Sequence, residues 1–260
     1  MYLHESGINN TSTVLFLHGA GGGGWMWQQQ MDALDEYHCL APDLPEHGQS
    51  VSEFPFEMND VVRDIANLIR TKSYEGSADV IGLSLGGQIT IELMNQYPDT
   101  IKHAIISGAL ARPINFVRML SPLMRIILRC YEPVKSSDFS IKANMKAHTI
   151  PAIYERNFRE DIRLLKSDSF ARLLTNVMTY KLPSGLERVT SPTLVIAGEK
   201  EYTITRQSVK DLVAAIPGAQ GRIARRMKHN WNMQDSRLFT CMVRSWIQHK
   251  PLPQELVPFS

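Results

Sequence analysis

Short apolar runs alternate with longer amphipathic segments through the first part of the chain. Val14 to Leu17 (VLFL) and His38 to Pro42 (HCLAP) are continuous apolar blocks, the pattern of strands covered on both faces. Asn59 to Lys72 places Val61, Val62, Ile65, Leu68 and Ile69 on one helical face and predicts a helix capped at Asn59 or Asp60. ADVIG predicts a further strand, QITIELMNQY a helix stopped by Pro98, and HAIIS another strand. Strand and helix in alternation predict a mostly parallel sheet with helices on both faces.

The pattern changes at Arg112. From there to about Gly185 no strand pattern occurs, and the segment reads as helices broken at Pro113, Pro122, Pro133 and Pro151. Alternation resumes with PTLVIAG, a helix around SVKDLVAAIP, a strand in GRIARRM and a last helix with Leu238, Phe239, Met242, Val243, Trp246 and Ile247 inward. The organisation expected is therefore a core of residues 1–111 and 186–260 interrupted by a helical insertion of residues 112–185.

Composition narrows the classes. With 260 residues and 43% hydrophobic content the chain can bury one substantial core, and a formal net charge of +2 offers no global field for nucleic acid. Charge is uneven: residues 112–181 hold thirteen Lys and Arg against six Asp and Glu, while the remainder holds fifteen against twenty. Cys39, Cys130 and Cys241 match neither a disulfide framework nor a metal motif. The opening MYLHESGINN has no leader pattern and no run reaches the length of a membrane span, so a cytoplasmic protein is expected. FVRMLSPLMRIILRCY mixes apolar and basic residues as an interfacial helix does, but Pro122 interrupts it and a helix lying over its own domain explains its apolar side. Membrane contact is not expected.

The stretch VLFLHGAGGGGWMW admits two readings. Gly19, Gly21 and Gly24 satisfy G-x-G-x-x-G with Asp43 downstream, as in dinucleotide folds. The same bare backbone also suits N–H groups turned toward an oxyanion, if a nucleophile lies elsewhere.

Gly82-Leu83-Ser84-Leu85-Gly86 supplies that nucleophile. It is G-x-S-x-G between a predicted strand and a predicted helix, where small neighbours permit a strained turn that exposes Ser84 beside the Leu85 N–H at the helix start. A serine needs a base. Of eight histidines, His229 follows a late strand and so falls at the same sheet edge, whereas His18 and His47 suit structural roles, and His4, His38, His103, His148 and His249 read as surface or edge positions. Glu199 and Glu201, on the loop after TLVI, are both candidates for the acid that orients the base.

HGAGGGGW, DLPEHGQS, GLSLGGQ, AGEKE and MKHNW, in this order across nearly the whole chain, resemble the α/β-hydrolase superfamily in its branch of small capped serine esterases. The resemblance implies Ser84 as nucleophile, His229 as base, and the N–H groups of Ala20 and Leu85 as oxyanion hole. It places the acid at Glu201, where the family carries aspartate, and marks Glu46 as a departure where the family carries glycine. It also makes residues 112–185 a helical cap whose apolar side chains wall the substrate pocket. Met119 and Met124, flexible and polarizable, are the expected wall residues, with Trp25 and Trp231 framing the mouth and Gly21 passing close to substrate.

The function expected is hydrolysis of small or medium, largely apolar carboxylic esters through an acyl-enzyme, with no cofactor and no metal. The same triad also serves C–C, thioester, lactone and peracid chemistry, and a low-turnover ligand receptor is the rival from another class. Dehalogenases and epoxide hydrolases of this architecture carry aspartate where Ser84 stands.

Overall fold

A computed structural model describes residues 1–51, 55–114 and 116–259. Its strands are β1 (Leu3–Ser6), β2 (Thr13–Leu17), β3 (His38–Pro42), β4 (Ala78–Leu83), β5 (Ile101–Ser107), β6 (Thr193–Gly198), β7 (Gln220–Ala224) and β8 (Leu256–Pro258). They form one sheet in the order β1-β3-β2-β4-β5-β6-β7-β8. The interior pairs are parallel, with Leu15 opposite Val80 and Ile105 opposite Leu194, and only the edge strands β1 and β8 run antiparallel.

Period-two alternation distributes the strand side chains between two cores. Leu15, Leu17, Val80, Ala104, Ile106 and Val195 point to one face, Val14, Phe16, Ile81, Ile105, Leu194 and Ile196 to the other. Chain order places α1 (Gln28–Ala33), α2 (Met58–Lys72) and α3 (Leu85–Gln96) before the insertion. Within the first core lie Val61, Val62, Ile65 and Ile69 of α2 and Ile89 and Leu93 of α3. Each such side chain contributes roughly 2 kcal/mol on burial.

Between β5 and β6 run α4 (Phe116–Tyr131), α5 (Asp138–His148), α6 (Glu155–Leu164) and α7 (Ser167–Thr179); α8 (Thr203–Ala215), α9 (Trp231–Gln234) and α10 (Ser236–Ile247) complete the chain. Val209 and Leu212 of α8 join the first core, whereas Phe239, Met242 and Val243 of α10 close the second. No helix among the described residues is long and apolar enough to cross a membrane.

Two local expectations are corrected, and two edge strands are added that the apolar pattern does not show. Pro122 does not break its helix: α4 runs through it, and the carbonyl of Arg118, which loses its N–H partner there, accepts instead from Ser121 Oγ at 2.9 Å. The helix α2 starts at Met58 after Glu57, with no side-chain cap, so Asn59 and Asp60 lie inside its first turn. The strands β1 and β8 carry too few apolar residues to show as buried runs, because edge strands are covered on fewer sides.

Candidate active site

Ser84 joins β4 to α3 with φ 57° and ψ −112°, a left-handed conformation that a non-glycine residue adopts only when its surroundings enforce it. The enforcement is visible. Its N–H donates to Ser107 O at 2.8 Å, the Gly86 N–H donates to His18 O at 3.1 Å, and a Cβ at Gly86 would lie 2.1 Å from Leu17 O. The first turn of α3 is thus pressed against the end of β2, which puts Ser84 beside the glycine loop.

His229 lies beyond β7 and its Nδ1 donates to Glu201 Oε2 at 2.6 Å. Glu201 Oε1 accepts the Gly198 N–H at 2.8 Å, and its side chain is only 2% exposed. Both carboxylate oxygens are therefore fixed, and the bond at Nδ1 leaves Nε2 as the free nitrogen of the neutral ring. Burial alone would lower the His229 pKa, but the charge and hydrogen bond of Glu201 outweigh it and raise the pKa above the ordinary histidine value. Glu199 is exposed and turned away, accepting the Arg226 N–H at 2.7 Å.

Gly108, which follows β5, completes this pair. It has φ +61°, and a Cβ there would stand 2.9 Å from His229 Cε1 and 3.2 Å from Glu201 Oε2. The sequence signal for it was only a glycine ending an apolar strand, which any turn would produce.

The glycine loop is braced from below. His18 is fully buried; its Nδ1 donates to Gly19 O at 2.8 Å and its Nε2 accepts the Leu44 N–H at 3.0 Å. Asp43 accepts the N–H groups of Gly24 and Gln49 at 2.7 and 2.8 Å and bonds His4 at 3.2 Å. Only 2% exposed, this acid holds the loop from within and presents no free face to a ribose, which removes the dinucleotide reading of this stretch.

Ser84, His229 and the loop Gly19, Ala20, Gly21 and Gly22 open on one cavity of about 240 Å³. Trp25, Met26, Phe158, Ile162, Leu165 and Phe170 supply most of its apolar wall. Trp25 and Gly21 are thus among the lining residues. Three expectations fail. Met119 is 75% exposed and Met124 also stands off the cavity, because α4 turns Leu128 and Tyr131 inward instead. Trp231 is fully buried beneath the site, with its indole N–H on Ser107 Oγ at 3.0 Å and its ring against Phe239. Lys135, Asn144 and His148 line the cavity unforeseen; no linear pattern distinguishes them from solvated polar residues.

Glu46 also finds its place. It is 7% exposed at φ 66°, accepts from Ser169 Oγ at 2.7 Å and from the Phe56 N–H at 2.9 Å, and pairs with Arg172. The unexpected carboxylate therefore fastens α7 to the loop after β3.

Comparison with known proteins agrees with this architecture. A family model described as the alpha/beta hydrolase family matches residues 14–239. An AB hydrolase superfamily protein of Gibberella zeae is 29% identical over 256 residues, covering 95% of this chain and 84% of the relative. A pimeloyl-[acyl-carrier protein] methyl ester esterase of Vibrio campbellii is 23% identical, covering 94% and 98%. Among solved structures, a thermophilic esterase from Thermogutta terrifontis has the same fold, with a TM-score of 0.77 at 20% identity and coverage of 95% and 93%.

Proposed function

This chain belongs to the alpha/beta hydrolase family, and from that premise we propose that it is a serine hydrolase that cleaves carboxylic esters. The observation that carries the reading is the 2.6 Å bond from His229 Nδ1 to Glu201 Oε2, made where the free face of His229 and a backbone-strained Ser84 line one cavity.

In this mechanism His229 Nε2 takes the Ser84 proton as Oγ attacks the acyl carbon. The N–H groups of Ala20 and Leu85 hold the oxyanion, preorganised because the glycine loop is tied by His18 and the helix start by the Gly86 bond. Collapse expels the alcohol with the proton from His229, leaving an acyl-Ser84. Water, deprotonated by the same imidazole, then releases the acid. Glu201 fixes the tautomer and stabilises the imidazolium at each step. Residues 112–185 act as the cap that walls the cavity and keeps bulk water from the acyl-enzyme.

Relatives named as a methyl ester esterase, a putative carbamate hydrolase and a proline iminopeptidase support hydrolysis in general, and the ester class is the part of the reading that the following assay decides. Hydrolysis of p-nitrophenyl acetate, butyrate and octanoate, with Ser84→Ala as control, tests the reading. Turnover lost in the variant, with Ser84 labelled by a fluorophosphonate, is the expected result. Labelling without turnover of any ester would favour the receptor, and turnover unchanged by Ser84→Ala would end the proposal.

A further inference from the structure

One end of the cavity departs from the apolar wall. Lys135, on the segment joining α4 to α5, lines it with a side chain only 11% exposed. Its Nζ donates to Leu165 O at 2.5 Å and pairs with Glu132 Oε1 at 2.6 Å. An ammonium has three N–H donors, so one remains. Beside it Tyr131 OH accepts from Asn144 Nδ2 at 3.0 Å, and the same amide nitrogen donates to Ser140 O at 2.8 Å. With its oxygen serving as acceptor, the Tyr131 hydroxyl keeps its proton to donate. Two donors, one of them charged, are thus available to whatever fills this end.

Among the described residues, no aspartate or glutamate lines the cavity. Glu132, the partner of Lys135, is not a lining residue; its side chain is 43% exposed, where water screens it, and its other oxygen is held by Ser167 Oγ. Glu132 offsets part of the ammonium's charge from the solvent side and leaves a charged donor at this end of the cavity. An anion entering there meets that donor with no carboxylate among the described lining residues beside it.

The positive end also lies at a usable distance from the chemistry. Lys135 reaches the Leu165 carbonyl, and the Leu165 side chain comes within 4.0 Å of the space next to Gly21, so one apolar residue separates the ammonium from the glycine loop. A volume of about 240 Å³ holds about eight water-sized groups, enough for a short aliphatic acid spanning the two ends.

We propose that the substrates are half-esters of short dicarboxylic acids, with the free carboxylate seated on Lys135 Nζ and the Tyr131 hydroxyl while the ester carbonyl lies at Ser84. This rests on the serine-hydrolase reading above and specifies the substrate class of the same site. Lys135 selects the substrate and takes no part in bond making.

The test compares mono-p-nitrophenyl succinate, glutarate and adipate with the uncharged butyrate, pentanoate and hexanoate esters. For at least one chain length the half-acid ester is expected to exceed its neutral counterpart in kcat/KM by tenfold or more. In Lys135→Met that preference should fall to near unity through a rise in KM for the half-acid ester, and Lys135→Arg should restore most of it. Glu132→Gln, which removes the counter-charge from Lys135 and keeps an oxygen for Ser167 Oγ, should increase the preference. Equal kcat/KM for each charged and neutral pair in the wild type, or a preference that survives Lys135→Met, would overturn the proposal. Fluorophosphonate titration of Ser84 in each protein separates the two levels: a labelled enzyme without charge preference refutes only the substrate class, whereas an unlabelled, inactive wild type refutes the hydrolase reading and the substrate class with it.

Discussion

Glu46 accepts a hydrogen bond from Ser169 Oγ at 2.7 Å across 123 positions of sequence, and Arg172, one helical turn further along α7, pairs with the same carboxylate. This joins the loop after β3 to the helices inserted before β6. Burial would raise the Glu46 pKa, but the bonds from Arg172, the Phe56 N–H and Ser169 together hold it below the usual carboxylate value. A depressed pKa means stability that is present in full above the ordinary glutamate value and lost as pH falls through the folded-state value. Glu46→Gln is expected to cost about 2 kcal/mol at neutral pH, a loss of several degrees in Tm. Thermal melts of both proteins between pH 7 and pH 3 should show the gap closing toward acid.

Glu201→Gln keeps the shape of the acid and removes its charge. We expect kcat to fall roughly 10²- to 10⁴-fold, while Glu199→Gln stays within about twofold of the wild type, as surface substitutions do. Because Glu201 raises the His229 pKa, the acid limb of kcat/KM should lie above the ordinary histidine value in the wild type, with activity lost as pH falls through it. In the variant only burial remains, and the limb should move to lower pH. A limb that does not move between the two proteins would place the base elsewhere.

Gly108→Ala probes the same pair without altering either member. Its Cβ would stand 2.9 Å from the imidazole, on backbone with φ +61° that costs a further 1 kcal/mol or so for alanine. The expected outcome is a fall in kcat of about 100-fold, with circular dichroism retained. Wild-type kcat in a folded Gly108→Ala protein would show that the His229 ring has room to spare.

Asp161 is 7% exposed, and its Oδ2 accepts the Trp25 indole N–H at 2.6 Å. Burial pushes its pKa up to about 7, against the lowering effect of that bond. The folded state therefore keeps a proton that the unfolded chain has already released, and stability declines as pH rises from the ordinary aspartate value to about 7. Asp161→Asn retains an acceptor for Trp25 and removes the decline. Melting curves should show the variant gaining on the wild type between pH 5 and pH 8.

Wall residues give a plainer check. Met119→Ala should leave KM for a butyrate ester unchanged, since the side chain is 75% exposed, whereas Phe170→Ala, which opens the wall beside Gly21, should shift the preferred acyl length upward in a chain-length series.

The sheet was legible because its interior strands are covered on both faces: VLFL, HCLAP, ADVIG and TLVI need no context to read as buried. The serine turn was legible in part for a related reason, since Gly82 is required by Gly86 O and Thr90 Oγ1 of the helix that follows, whereas Gly86 is required by Leu17 O on the distant strand β2. Glu201 and Glu199 were both open from spacing, and the alternation of loop directions over two residues separates them: one oxygen pair is anchored by Gly198 and His229, the other by Arg226.

The insertion was legible as helices and illegible as a surface. In α4 the run FVRMLSPLMRIILRCY carries one apolar arc covering about half of the helix, so nothing in it says which part of that arc, Leu128 and Tyr131 or Met119, faces the cavity; packing against α7 decides the rotation of the helix. Trp25 and Trp231 look alike in sequence, yet one lines the cavity and the other is sealed on Ser107. The sequence by itself determined the order of the candidate residues, Ser84, then Glu199 or Glu201, then His229, each on a loop after a strand, because burial periodicity acts over a few residues. The tertiary structure alone decided the contacts of Glu46, Gly108 and Lys135, because each meets a group brought to it by the packing of separate elements, and no local pattern encodes that contact.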